Sequence, residues 1–262
     1  MKTQNEMMTL VPQKLREIEA KYDVEVLWAI ESGSRAWGFE SPDSDFDVRF
    51  IYKHKPAFYL ALDKGRDVIE LPIDETWDVS GWDLDKTLKL LFKSNPTLFE
   101  WLQSPIVYHQ TEFIERIRQY AQTYFSEKKM LHHYLNTAKG HMQKYLVGPK
   151  VKPKKYFYAL RPILACRWIE KYHTIPPILF DDLVHDLLPE EMKPHVATLL
   201  DLKINHPEET LISPLLPIQD YLEESIREIE AYVQTVQEEK RDISSLNNFF
   251  LNELGMEREG NE

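Results

Sequence analysis

The spacing of apolar residues changes several times along the chain, and each change predicts an element. Leu10, Leu15 and Ile18 recur at helical spacing among charges, which predicts a helix over 10–21, ended by Tyr22-Asp23. Val24-Glu25-Val26-Leu27-Trp28-Ala29-Ile30 is β-branched, aromatic and of strand length, and Gly33-Ser34 breaks it. Phe46-Asp47-Val48-Arg49-Phe50-Ile51-Tyr52 predicts a second strand, approached through Ser41-Pro42-Asp43. Asp67-Val68-Ile69-Glu70-Leu71-Pro72-Ile73 predicts a third, placed at a sheet edge by Pro72, and 77–81 a fourth.

Helical patterns follow over 84–92 and 97–102, divided by Asn95-Pro96, which reads as a helix break. Beyond them 112–125, 127–147, 156–172, 190–203 and 217–239 have helical composition, punctuated by prolines. The expected fold class is α+β. A small mixed-sheet core occupies 1–108, a mostly helical domain 109–255, and a disordered tail 256–262.

Composition narrows the function. Hydrophobic residues make up 43% of the 262, enough for real cores and against wholesale disorder. The formal charge of −11 excludes a surface coated in positive charge for non-specific nucleic-acid binding, while leaving room for a local basic site. A single cysteine, Cys166, excludes an internal disulfide framework and a cysteine metal cluster, and fits a reducing compartment. Amid Leu164, Ala165 and Trp168 it reads as buried filler. No secretory-type apolar segment opens the chain and no long uncharged apolar run follows, so the expectation is a cytoplasmic protein without membrane contact.

Charge is unevenly placed. From Lys128 through Ile169 there is no Asp or Glu, yet the stretch holds eight lysines and two arginines. One reading is a solvated helix face balanced by acidic neighbours. The other rests on 149–158, where Lys150, Lys152, Lys154 and Lys155 run into Tyr156-Phe157-Tyr158, a composition suited to phosphates and stacked bases.

The chemistry concentrates in 31–49. A strand ends at Gly33-Ser34, where backbone N–H groups can converge on an anion and glycine lets a phosphate approach closely. Asp45 and Asp47 then sit two residues apart at a strand start, on one face. Two such carboxylates are costly unless a cation neutralises them. Mg²⁺ suits oxygen ligands and phosphates together, and two ions about 4 Å apart can clamp a phosphoryl displacement. The bland alternative is a Gly-Ser turn and an Asp-rich loop capping ordinary elements.

Gly33-Ser34 followed by Asp45-x-Asp47 resembles the signature of the DNA polymerase β-like nucleotidyltransferase superfamily. Gly33-Ser34-Arg35-Ala36-x-Gly38, Ser44-Asp45-x-Asp47-Val48-Arg49-Phe50, Gly81-Trp82-Asp83-Leu84, Lys93-x-Asn95-Pro96, Glu100-Trp101-Leu102 and Lys155-Tyr156-x-Tyr158-x-x-Arg161-Pro162 are similar to its predicted bacterial branch, related to polymerase β-like proteins found with RNA-repair genes. The resemblance covers most of 25–175. It implies a nucleotidyltransferase core and a helical domain. It implies that Gly33 and Ser34 grip a nucleoside triphosphate, with Arg35 and Ser44 beside them, and that Asp45 and Asp47 hold Mg²⁺, or Mn²⁺ in its place. It also implies a third carboxylate from a later strand: Asp78, with Asp83 and Glu70 as alternatives, Asp83 being placed to cap the next helix.

Several residues carry two readings. Arg35 and Arg49 contact phosphate or pair with Glu31, Asp43 or Asp45. Lys154, Lys155, Tyr158 and Arg161 suit triphosphate and base contacts, Tyr158 and Arg161 sharing one helix side; core packing is the alternative for Tyr158. His132, His133 and His141 form no zinc motif. The expected activity is transfer of a nucleoside monophosphate from an NTP to an acceptor, either an RNA end or a small molecule. The alternatives are a non-catalytic nucleotide or RNA sensor, and a toxin–antitoxin-type protein whose acidic stretch 220–242 docks on a basic partner.

Overall fold

The computed structural model describes residues 2–41, 44–63, 65–72, 77–207, 209–238 and 240–256. The expectations for Pro42-Asp43, for Ile73 at the end of the third strand, for Glu239 and for the tail from 257 onward lie outside the described residues.

In chain order the elements are α1 (Gln4–Tyr22), β1 (Val24–Glu31), α2 (Gly33–Trp37), β2 (Phe46–His54), α3 (Pro56–Tyr59), β3 (Val68–Glu70), β4 (Trp77–Asp83), α4 (Leu84–Phe92), α5 (Pro96–Trp101), β5 (Val107–Gln110) and α6 (Phe113–Tyr124). Then come α7 (Glu127–Tyr145), α8 (Lys154–Tyr172), α9 (Phe180–Leu187), a 3₁₀ turn over Glu190–Met192, α10 (Lys193–Asn205), α11 (Leu216–Thr235) and α12 (Ser244–Glu253). The fold class is α+β, as the sequence predicts. α1 begins six residues before the predicted start because Thr3 and Glu6 form a capping box, which satisfies the first free N–H groups. Asp23, in the left-handed region, closes it. α3, β5, α9 and α12 are additions to the predicted elements.

The chain folds as two compact units. The first comprises Met1–Ala36, Asp45–Tyr124 and Lys240–Glu262; the second comprises Trp37–Ser44 and Phe125–Glu239. The first unit is built on a five-stranded sheet in the order β3-β4-β2-β1-β5. β2 and β4 run parallel, and the other neighbouring pairs are antiparallel. The sheet is mixed and β3 is an edge, as Pro72 predicts.

Strand alternation sorts its side chains. Phe46, Val48, Phe50 and Tyr52 of β2 join Val79 of β4 and Met7, Val11, Leu15 and Ile18 of α1 in one core. Gly81 belongs to that side: a Cβ there would lie 2.2 Å from the Phe50 ring. Asp47 and Arg49 of β2, and Asp78, Ser80 and Trp82 of β4, therefore take the opposite side. Trp82 stacks there on Trp101 of α5, ring centroids 3.8 Å apart.

In the second unit α8 is buried along most of its length and packs on α7 and α11. Cys166 is wholly buried there, and burial pushes its thiol well above the usual range. The cationic block finds much of its balance inside this unit. Lys139 pairs with Glu230, Arg167 with Glu228 and Glu170, Lys129 with Glu238 and Lys152 with Glu209. Acids of 220–242 thus meet this chain's own lysines and arginines.

Candidate active site

β2 and β4 hold the candidate acids in register. Asp47 lies opposite Asp78 across the parallel pair, so both carboxylates emerge on the same side. Arg49 reaches between them. Its Nη2 donates to Asp47 Oδ1 at 2.9 Å and to Asp78 Oδ2 at 2.8 Å; its Nη1 donates to the Asp78 carbonyl at 2.9 Å and the Val48 carbonyl at 3.1 Å. Arg49 is 17% exposed and each aspartate 34%. Of the readings weighed for Arg49, an ion pair stands with Asp47 and Asp78; Asp43, one of the partners weighed for it, lies outside the described residues. The sequence analysis names Asp78 as a candidate acid but not as a partner of Arg49, since it arrives from a neighbouring strand.

Gly33 is fitted to this site. Its φ is +62°, and a Cβ built on it would stand 2.1 Å from Asp47 Oδ2. Glycine suits the position twice: the backbone is left-handed, and any Cβ would force the Asp47 carboxylate to move. Ser32 N–H donates to the Asp47 carbonyl at 2.8 Å, and Asp47 N–H donates to Glu31 Oε1 at 2.7 Å.

Glu31 is wholly buried, and its Oε2 accepts from the Tyr108 hydroxyl at 2.6 Å. Burial pushes its carboxyl up to about 7, against the lowering effect of the Tyr108 and Asp47 hydrogen bonds. This positioning role of Glu31 is absent from the sequence reading, because Tyr108 comes from β5, a strand the pattern does not predict. Burial also raises Asp47, and the Asp78 and Asp45 charges add to it; the Arg49 guanidinium opposes them.

The other site residues are distributed as follows. Asp45 is exposed just before β2, and its carbonyl accepts from Arg35 Nε at 3.3 Å. The Arg35 guanidinium lies 3.8 Å from the Phe46 ring centroid. Ser34 is half-buried in the first turn of α2. Ser44 is buried, with its Oγ 2.9 Å from both the Ser41 N–H and the Ser41 hydroxyl.

Of the alternatives to Asp78, Asp83 falls on the other side of the sheet, five residues along β4. It caps α4 by accepting from Asp85 N–H at 2.8 Å, binds the Tyr59 hydroxyl at 2.9 Å, and burial pushes it up to about 6. Glu70 pairs with Arg66 on the edge strand. A cavity of about 580 Å³ opens at the other end of β1 and β2, lined by Val24, Lys53, His54 and Arg116 among others; none of the candidate acids lines it.

In the second unit Lys155 caps an aromatic cluster, its Nζ 4.1 Å from the Tyr145 ring centroid and 5.4 Å from that of Tyr158. His141 stacks on Tyr158 at 5.1 Å; burial, then Lys155 and Lys144, hold its pKa below the usual range. Trp37 contacts Tyr158 edge-on and lies under the Arg161 guanidinium, so Tyr158 and Arg161 share the predicted helix side. Arg161 is buried and donates to the Ile178 carbonyl at 3.2 Å. Lys154 is half-buried in the first turn of α8.

Among the described residues no three His, Cys, Asp or Glu side chains gather into a metal-binding cluster. The three candidate acids are oxygen donors of the kind a hard divalent cation takes, without forming such a cluster. Asp45, Asp47 and Asp78 offer only oxygen ligands, and their mutual repulsion is felt at Asp47 despite Arg49. Between Asp47 and Asp78 the place is taken by Arg49.

A small mixed sheet thus carries aspartates paired across β2 and β4, with a tight Gly-Ser turn beside them. The chain belongs to the RNA repair pathway DNA polymerase beta family, RlaP, whose family model matches residues 7–252. Membership supports a nucleotidyltransferase-type role. The chain is 45% identical over 249 residues to the Bacillus subtilis (strain 168) protein named "Uncharacterized protein YcgL", covering 94% of this chain and 96% of that one. It is also similar to a solved nucleotidyltransferase-like protein from Exiguobacterium sibiricum 255-15, at 12% identity and a TM-score of 0.30, over 85% of this chain and 74% of the other. Among the described residues no helix is long and apolar enough to cross a membrane.

Proposed function

We propose that this protein is a divalent-metal-dependent nucleotidyltransferase. It moves a nucleoside monophosphate from an NTP to an acceptor hydroxyl or phosphate. The acceptor oxygen forms a bond to the α-phosphorus, the bond from that phosphorus to the bridging oxygen breaks, and pyrophosphate leaves. The observation that carries the proposal is the Asp47–Asp78 pair across β2 and β4, with Gly33 pressed against the Asp47 carboxylate.

In this reading Asp45, Asp47 and Asp78 hold Mg²⁺, two ions in all, or Mn²⁺. The metal, when bound, polarises the α-phosphate and stabilises the leaving charge. Asp78 orients a hydroxyl acceptor and takes its proton. The Gly33-Ser34 turn and Arg35 hold the triphosphate, and Ser44 shapes the loop that delivers Asp45. Nucleotide contact by Lys154, Lys155, Tyr158 and Arg161 is proposed on chemistry alone, cations beside aromatic rings. An RNA end is the favoured acceptor, in keeping with the family's RNA-repair association, and a cytoplasmic location fits the single buried thiol.

Pyrophosphate release with each of the four NTPs, in Mg²⁺ or Mn²⁺, with and without total cellular RNA, tests the proposal. Asp45→Asn and Asp47→Asn are expected to lower turnover on the order of a hundredfold or more while keeping the fold. Wild-type turnover in both overturns the ligand assignment. A second reading, an NTP sensor without turnover, draws on Arg49 filling the space between Asp47 and Asp78. NTP binding with no pyrophosphate release under any condition selects it.

A further inference from the structure

Arg49 is unusual in how completely its fork is used. Four acceptors face two of its nitrogens: one carboxylate oxygen from each of two strands, one carbonyl from β4 and one from β2. Lysine, with a point charge and no planar fork, has no equivalent of this geometry. The guanidinium therefore supplies the positive charge between Asp47 and Asp78 and fixes the rotamers of both. It also joins β2 to β4 near the start of both strands. Two half-buried carboxylates facing each other without a cation would repel strongly, so some cation belongs there. The fold meets that need from its own sequence, two residues after Asp47.

We infer that Arg49 is a positioning residue acting as a built-in counter-cation, so that the Asp47–Asp78 pair holds together before any divalent ion binds; without Arg49 the pair binds a divalent cation more tightly and the sheet's stability comes to depend on that ion. The inference rests on the metal-dependent reading only in taking these acids as the functional pair. Its test needs no turnover, so a chain without transferase activity can still bear it out.

The test is thermal unfolding of the full chain in EDTA and in excess Mn²⁺, for wild type, Arg49→Met and Arg49→Met/Asp78→Asn, with Mn²⁺ affinity read by electron paramagnetic resonance. Arg49→Met is expected to melt below wild type in EDTA and to gain more from Mn²⁺ than wild type does. Its Mn²⁺ affinity is expected to tighten by about tenfold, the effect of removing a positive charge in contact with the carboxylates. Asp78→Asn on that background is expected to cancel both gains. A brace with no counter-charge role predicts the same loss in EDTA and in Mn²⁺. That result, or a Mn²⁺ gain that survives Asp78→Asn, overturns the inference. If Arg49→Met does not fold in EDTA, recovery of its native helical signal on dialysis into Mn²⁺ supports the inference, and failure to recover overturns it.

Discussion

Gly33→Ala is the substitution that tests the site's geometry most directly. Two costs separate cleanly. Holding alanine at a φ of +62° costs about 1 kcal/mol. The second cost arises because the new Cβ would stand 2.1 Å from Asp47 Oδ2 and 3.1 Å from its Cγ, so the carboxylate has to rotate. Rotation breaks the bond from Arg49 Nη2, a charge-assisted contact worth roughly 1.5–3 kcal/mol, at the lower end here because Asp47 is partly exposed. The expected total is about 2.5 kcal/mol. Gly255→Ala is the matched control: its φ is +67°, just past α12, and nothing lies within 4 Å of the added Cβ. It is expected to cost only about 1 kcal/mol. Urea unfolding of the two variants gives the comparison, and NTP titration of Gly33→Ala reports the site. Equal destabilisation of both variants would refute the steric argument.

Two further outcomes follow from Glu31 and Lys155. The Glu31 carboxyl, raised from its ordinary value to about 7, gives stability that is fully present below about pH 4.5 and lost as pH rises through about 7, worth about 3 kcal/mol across the range. Glu31→Gln is therefore expected to flatten the pH dependence of urea unfolding between roughly pH 5 and pH 8; an unchanged slope would show that Glu31 is not its source. Lys155→Gln leaves Tyr145 and Tyr158 in place but removes the ammonium over them. It is expected to weaken NTP binding about tenfold by calorimetry, and an unchanged affinity would exclude Lys155 from nucleotide contact.

Four of the five strands, β1 to β4, are legible in the sequence as short runs carrying β-branched or aromatic residues. α4 is legible to the residue, since Asp83 caps it and Leu84, Leu88 and Leu91 fall on one buried face. β5 escapes the pattern because it has only four residues and just Tyr108 is fully buried. α12 escapes because its sequence, Ser-Ser-Leu-Asn-Asn-Phe-Phe-Leu-Asn-Glu, has poor intrinsic helix preference. Tertiary contacts hold it instead: Glu253 to Arg116, Phe249 against Phe113, and Phe250 against Tyr59.

At the site, Gly33, Asp45 and Asp47 are visible in one short stretch of sequence. The preference for Asp78 over Asp83 is legible too, from the strand pattern at 77–81 and the capping position of Asp83. That β4 lies beside β2, parallel and in register, is what local spacing does not encode. The same is true of Glu31, whose place depends on Tyr108 crossing from β5.

The sheet-bearing unit is closed by a helix that follows residues 125–239 in the chain. On the ribosome, every residue of the sheet emerges well before the segment that contributes Glu253 to Arg116 and the Phe249 ring to Phe113. The nascent sheet must wait through the synthesis of an entire helical unit with that side uncovered. A frameshift or stop codon between 125 and 243 therefore leaves all five strands of the sheet but a unit that lacks its last packing partner.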